Sequence, residues 1–174
     1  MDPFDTLGIQ ARFDIDLAAI EKQHRELSRA LHPDRYVGRP PGERRMALGK
    51  AIEVNQAWRV VRDSVARADA LLRRGGIAVD ESTSQAADPA FLMEIMELRE
   101  ALSEARGDRN LTALESLVAS VRTREDALLA TLTEGFANAD AGQGSVERCV
   151  VPLSQLRFVR RFLDEASAAE DELT

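Results

Sequence analysis

The sequence predicts an all-α protein: an N-terminal helical hairpin joined to a C-terminal antiparallel three-helix bundle. Three observations carry the helical reading. Ala and Leu number 46 against 25 for Val, Ile and Thr in 174 residues, a balance that favours helix over strand. Apolar residues recur at helical spacing along almost the whole chain, and no stretch alternates with period two. Gly and Pro crowd the region from Pro33 to Gly42 and recur at Gly75-Gly76, Pro89, Gly107 and Gly142/Gly144, cutting the chain into segments of helix length.

Taken in order, Pro3 opens a short helical turn that Gly8 closes. Asp14 or Asp16 caps a helix over about 16–31, whose stripe is Leu17, Ile20, Leu27 and Leu31, with His24 on the same side. Pro33 ends it, because a residue preceding proline is steered away from the α region. After a loop to about Gly42, helix runs to Arg74. Met46, Ile52, Val54, Ala57, Trp58, Val61, Val65, Ala68 and Leu72 are expected on its buried side. Asp63-Ser64 either caps a new helix or bends this one. Ile77 to Asp88 is the best linker candidate, rich in Ser, Thr, Asp and Gln. Three helices are expected beyond it: 89–106, started by Asp88-Pro89 and stopped by Gly107, then about 110–138 and about 145–172. The middle one has a clean stripe at Leu111, Leu114, Val118, Val121, Leu128 and Leu132. Pro152 either begins the last helix or kinks it. The domains expected are therefore 1–75, a linker 76–88, and 89–174.

Composition narrows the function. No run of 18 apolar residues exists, which argues against a membrane-spanning helix. The acidic opening Met1-Asp2-Pro3-Phe4-Asp5 does not read as a secretory leader. The single cysteine, Cys149, excludes an internal disulfide and any Cys-x-x-Cys site, and reads most simply as a small buried residue. Net charge is −7 but unevenly placed: residues 1–74 are net +3 and residues 75–174 net −10. Two halves of opposite sign suggest two surfaces with different partners, and an acidic chain of this kind is not expected to bind nucleic acid.

The basic excess has a focus. From Lys22 to Lys50 there are eight basic and three acidic residues. Lys22, Arg25 and Arg29 form one strip on the helix before His32-Pro33-Asp34, and Arg35, Arg39, Arg44 and Arg45 follow the tripeptide. Taken alone, the tripeptide could be a helix stop followed by a cap, and the strip a solvated face. In this context the sequence resembles a J-domain, the module that docks on a DnaK-type ATPase chaperone through a basic helix and a His-Pro-Asp loop. Asn55-Gln56-Ala57-Trp58 is similar to the family's facing helix. Guanidinium groups on a helix suit an acidic partner surface, Pro33 stiffens the turn, and His32 and Asp34 offer a donor and acceptors. No nucleophile accompanies His32, so no catalytic role is expected for it.

In the second half, Phe91, Ile95, Leu98, Leu102 and Ala105 make one core stripe, while Leu92, Met93 and Met96 lie on another side, bordered by Glu97, Arg99 and Glu100. Such a cluster either packs on the first half or docks a protein, and methionine suits a surface that adapts to a partner. The stretch from Phe91 to Leu102 closely resembles the corresponding helix of the HscB family, J-type co-chaperones of iron–sulfur cluster biogenesis. Phe4-Asp5-Thr6-Leu7-Gly8, Arg67-Ala68 through Leu71-Leu72, and Leu156-Arg157-Phe158 fit the same family.

That resemblance implies an L-shaped adaptor, its N-terminal hairpin a J-domain, without a cofactor of its own. His32, Pro33 and Asp34, with Lys22, Arg25, Arg29 and Arg35, would engage and stimulate an HscA-type ATPase. Leu92, Met93, Met96, Glu97, Arg99, Glu100 and Phe158 would hold the scaffold protein IscU. His24 departs from the family pattern, which has an aromatic or aliphatic residue there, as does Met96, where leucine is common; Pro152 is unexpected. The cysteine-rich zinc-binding extension of eukaryotic relatives is not present, so no metal site is carried over and a bacterial-type cytoplasmic protein is expected. Two alternatives stand beside it. One is a generic J-domain co-chaperone for unfolded clients, which would be expected to carry a Gly/Phe-rich linker or zinc-finger cysteines. The other is a helical adaptor unrelated to chaperones.

Overall fold

The computed structural model describes residues 1–77 and 89–173. All regular structure among them is helical, and the chain separates into two compact units, Met1–Ile77 and Ala78–Thr174.

The first unit is organised around its longest helix. Helix α1 (Pro3–Leu7) is fixed at its start by Asp2, whose carboxylate accepts from the N–H groups of Phe4 and Asp5 at 2.9 and 3.2 Å. It ends at Gly8, whose φ of +66° is a left-handed conformation that suits glycine. Helix α2 (Leu17–Ala30) is capped by Asp16, which accepts from the Ala19 N–H at 3.0 Å, so Asp16 and not Asp14 is the cap. A 3-10 turn at Pro33–Tyr36 leads to α3 (Pro41–Arg62), on which α1 and α2 both pack. Gln23 Nε2 donates to the Leu7 carbonyl at 2.7 Å, joining α2 to the end of α1. Phe4, Leu7, Phe13, Ile20, Ala47, Val54, Ala57 and Val61 fill the core with Ala68, Leu71 and Leu72 of α4 (Ser64–Arg74).

Asp63 resolves the ambiguity between α3 and α4. It adopts an extended conformation, and its side chain accepts from the Ala66 N–H at 2.8 Å, so a new helix starts there. Arg67 turns back across the break: its Nη1 donates to the Val61 carbonyl at 2.6 Å, and its guanidinium lies 4.9 Å from the centre of the Phe13 ring. Arg74 closes the unit by binding Asp2 and, at 3.2 Å, Asp5.

Two members of the expected α3 stripe are outside: Met46 is 68 % and Ile52 49 % exposed. At about 100° per residue, Ile52 points almost directly away from the direction set by Ala47, Val54 and Val61, and Met46 lies about 80° to one side of it. Trp58 and Val65 are half-buried, and Leu17, expected on the α2 stripe, is exposed at the first position of that helix.

In the second unit, α5 (Pro89–Gly107), α6 (Leu111–Asp140) and α7 (Val150–Leu173) pack pairwise as a three-helix bundle. Ion pairs report the register. Arg99–Glu165, at 3.6 Å, and Arg106–Glu172 are separated by seven residues on both helices, so α5 and α7 run parallel. Arg124–Glu94, at 3.2 Å, and Arg160–Glu125, at 2.9 Å, tie α6 to both neighbours, to which it runs antiparallel. The core is built by Phe91, Ile95, Leu102, Leu114, Val121, Leu132, Phe136, Leu156, Val159 and Phe162, among others.

Helix α5 ends at Gly107, one residue past the expected limit, and the left-handed position is Arg109, with φ +52°. Asn110 then caps α6, accepting from the Ala113 N–H at 3.0 Å. The expected Asp88 cap of α5 and most of the expected linker lie outside the described residues. Pro152 is the third residue of α7, where its missing N–H would have had no intrahelical acceptor, so it is accommodated in the first turn. It follows a second 3-10 turn at Val146–Cys149, which delivers Cys149 into the core against Gly135. Burial raises the pKa of that thiol.

A Cβ at position 135 would lie 2.7 Å from Cys149 Sγ. Overpacking of this kind costs about 1–3 kcal/mol, against a helix-propensity gain of about 1 kcal/mol. Gly135→Ala is therefore expected to lower the melting temperature by several degrees. In a Cys149→Ala background the same change should be neutral or stabilising, as thermal denaturation of the four proteins checks. A second expectation concerns acid. Burial alone would raise the Asp2 pKa, but hydrogen bonds from Arg74 and from the Asp5 and Phe4 N–H groups outweigh it and hold it below 3.8. A depressed folded-state pKa means a contribution fully present above the unfolded value and lost as pH falls through the folded one. Asp2→Asn keeps a capping oxygen while removing the charge. It should lower the melting temperature by about 1–3 °C near neutrality, and the difference should begin to shrink as melts are repeated below pH 3.8 and disappear only below the still lower folded-state value.

Candidate interaction surfaces

In the first unit, the tripeptide is placed by the local failure of α2. Leu31 caps that helix, and His32, the residue before proline, takes φ −60° and ψ 133°, an extended conformation that turns the chain away from the helix axis. Pro33 then starts the 3-10 turn. The Asp34 N–H donates to His32 Nδ1 at 3.3 Å and the Arg35 N–H to the His32 carbonyl at 3.0 Å, so the imidazole itself caps the turn. With the Nδ1 lone pair engaged, the neutral ring carries its proton on Nε2, an outward donor. In the protonated ring, Nδ1 faces Asp34 Oδ2 at 3.5 Å as an ion pair. The side chains of His32 and Asp34 are 58 % and 86 % exposed. Their hydrogen-bonding capacity beyond this turn is thus directed at solvent.

The expected cations surround the turn. Lys22, Arg25, Arg29 and Arg35 are all exposed. Arg25 is shared with Glu21 one helical turn away, at 3.6 Å, whereas Lys22, Arg29 and Arg35 have no acidic partner among the described residues. An open groove of about 550 Å³ adjoins the tripeptide, with Pro33, Asp34, Tyr36 and Val37 on one side and Arg44, Arg45 and Leu48 of α3 on the other. Sequence reading did not mark Tyr36, Val37 or Leu48, because they belong to no periodic stripe. His24 is not part of this surface. It stacks on Trp58, with ring centres 5.3 Å apart and planes 18° from parallel, and meets Asn55 Oδ1 at 3.0 Å, which makes it a fixture of the α2–α3 seam.

The second unit presents the other cluster. On α5, Phe91 and Ile95 are buried, whereas Leu92, Met93 and Met96 are 46 %, 63 % and 71 % exposed. Glu97, Arg99 and Glu100 are exposed around them. Phe158 of α7 is half-buried and meets Phe91 edge to face, with ring centres 5.9 Å apart. At about 100° per residue, Leu92, Met96 and Arg99 turn toward the α7 flank of α5, where Arg99 pairs with Glu165. Sequence reading missed Glu165, and also Arg161, whose guanidinium lies 5.9 Å from the Phe158 ring centre. Both follow Phe158 at helical spacing, i+3 and i+7, which is the signal that could have found them. The described residues contain no cluster of three His, Cys, Asp or Glu side chains suited to a metal, and no helix long and apolar enough to cross a membrane.

Comparison with known proteins agrees across the chain. Residues 87–167 match the family described as the HSCB C-terminal oligomerisation domain. The chain is 37 % identical to the co-chaperone protein HscB homolog of Bordetella petrii over 170 residues, covering 97 % of this chain and 95 % of that one. It is 33 % identical to the homolog of Burkholderia multivorans over 98 % and 94 % of the two chains. Among solved structures, the chaperone HscB from Vibrio cholerae superposes with a TM-score of 0.87 and 28 % identity over the full length of both chains. Human co-chaperone protein HscB shares the fold, with a TM-score of 0.86 at 24 % identity, over 97 % of this chain and 81 % of that one. With relatives this similar over nearly their whole length, the chain belongs to the HscB family of co-chaperones.

Proposed function

We propose that this co-chaperone binds an HscA-type ATPase through its first unit, accelerates ATP hydrolysis there, and delivers an IscU-type iron–sulfur scaffold held on its second unit. The observation that carries the reading is the exposed His32-Pro33-Asp34 turn, with Arg35 within it and Lys22 and Arg29 on the helix before it, none of the three having an acidic partner among the described residues. Cations left unneutralised on a folded surface favour an acidic partner and speed its approach. The turn is held by its own hydrogen bonds, so little ordering entropy is lost when it docks.

No covalent step belongs to the co-chaperone in this reading, and it needs no cofactor of its own. It acts by binding one chaperone conformation better than another. The shift it can impose is bounded by that difference in affinity. Leu92, Met93 and Met96 give the scaffold an adaptable apolar seat, with Glu97, Arg99, Glu100 and Phe158 at its border. The scaffold is cargo here, and the complex works in the cytoplasm.

The test is single-turnover ATP hydrolysis by HscA with the co-chaperone, with IscU, and with both. Joint addition is expected to stimulate well beyond either alone. His32→Gln should remove the co-chaperone's contribution, and Met93→Ala with Met96→Ala should weaken scaffold binding about tenfold or more while the circular dichroism spectrum is kept. Absence of stimulation by the wild-type chain would overturn the reading of the first unit. Unfolding of the methionine variant would return those residues to the core.

A further inference from the structure

The charged groups around Leu92, Met93 and Met96 are not equivalent. Arg99 is already paired with Glu165 across to α7, so part of its charge is answered within the bundle. Arg161 is not. It is exposed, it stands over the Phe158 ring, and among the described residues no carboxylate pairs with it. The ring beneath it is held in turn by the buried Phe91. A planar guanidinium supported on an anchored aromatic loses less freedom on binding than a lysine or an unsupported arginine would. On α5 the exposed Glu97 and Glu100 likewise have no partner among the described residues. The patch is therefore polarised, with an unanswered cation on its α7 border and unanswered carboxylates on α5.

We propose that Arg161 is a specificity-determining contact of this surface, one that accepts a carboxylate from the docked protein while Glu97 and Glu100 face a basic group. This rests on reading the α5 face as the scaffold's seat. It adds that the scaffold must present an apolar patch with an acidic and a basic group on its two sides. A weakly held cargo fits better than a second copy of the chain. Three apolar side chains fall well short of the roughly 1,600 Å² that a stable dimer buries. At so small a centre, border charges decide which partner is accepted and how fast it arrives.

Calorimetric titration of purified cluster-free IscU into the full-length wild type, Arg161→Gln, Arg161→Glu, and a Leu92→Ala/Met96→Ala variant tests this. Arg161→Glu is expected to weaken binding about tenfold or more and Arg161→Gln by less. Both should converge on the wild type near 1 M salt, where charges are screened over a few ångströms. Melting temperatures of both should fall by no more than a few degrees, because Arg161 is exposed and loses only its contact with the Phe158 ring and, in Arg161→Glu, gains like-charge neighbours at Asp164 and Glu165. Wild-type affinity in Arg161→Glu, with binding lost in the Leu92/Met96 variant, would overturn the role of Arg161 and leave the scaffold seat standing. Wild-type affinity in both would remove the seat and the inference together. Sedimentation velocity supplies the last arm: if the wild type self-associates and Arg161→Glu abolishes that while leaving scaffold affinity intact, the surface belongs to a second copy and the inference fails.

Discussion

A proline without a backbone N–H sits where α2 would otherwise continue, and much of the first unit follows from it. Pro33 forces His32 into an extended conformation, and the chain leaves the helix axis within two residues of Ala30. The redirected turn buries none of its four residues fully, and Tyr36, at its end, is the one that is half-covered, so the tripeptide is not drawn into the core. It becomes a turn closed by its own atoms, with the His32 ring accepting from the Asp34 N–H. Exposure is thus imposed by backbone chemistry. The α2–α3 seam, held by the His24–Trp58 stack and the His24–Asn55 contact, then fixes the helices on either side of it.

The second unit meets a different constraint. Helix α5 is apolar on two sides, and a three-helix bundle can cover only one. Phe91, Ile95, Leu102 and Ala105 take the buried side, leaving Leu92, Met93 and Met96 outside. Exposed apolar side chains make a surface that could slide or rotate into the core. Two parallel ion pairs, Arg99–Glu165 and Arg106–Glu172, mark a single register in which α5 keeps the methionines out. Each pair is worth little alone, as exposed ion pairs are. Their value lies in agreeing on that register with the buried Phe91 and Leu102.

Helices, most of their limits and their core stripes were legible in the sequence because they depend on neighbours within a turn or two: Pro3 after Asp2, Asp16 before Leu17, the spacing of Leu114 through Leu132. The tripeptide and the methionine cluster were legible for the same reason. What sequence could not supply is the width of a buried face. Met46 and Ile52 are apolar residues of α3, yet both lie outside its buried face, Met46 about 80° to one side and Ile52 almost opposite. Nor does composition say which residue will accept a left-handed turn. The helix does end at Gly107, but the left-handed residue is Arg109, because Asn110, three residues after the helix, caps α6 and its N–H returns to the Ala105 carbonyl. Arg161 and the groove at Tyr36, Val37 and Leu48 needed the fold, since each is defined by a neighbour on another segment.

Neither proposed docking surface is large, and their smallness suits the function assigned to them. Each consists of a preformed turn or helix face with a few unanswered charges, so binding at either one alone is expected to be modest and readily reversed. An adaptor does not need tight grips. Holding a cargo at one end while contacting the chaperone at the other converts the cargo's encounter with the chaperone into an intramolecular event, and effective concentration then supplies affinity that contact area does not. Strong binding at both ends would work against turnover, because the adaptor would remain with its cargo after hydrolysis. Charges are well matched to that need. They raise the rate of arrival and reject wrong partners at little cost to release. The net +3 of residues 1–74 and −10 of residues 75–174 give the two units different long-range preferences, which is what the proposal of two separate partners requires.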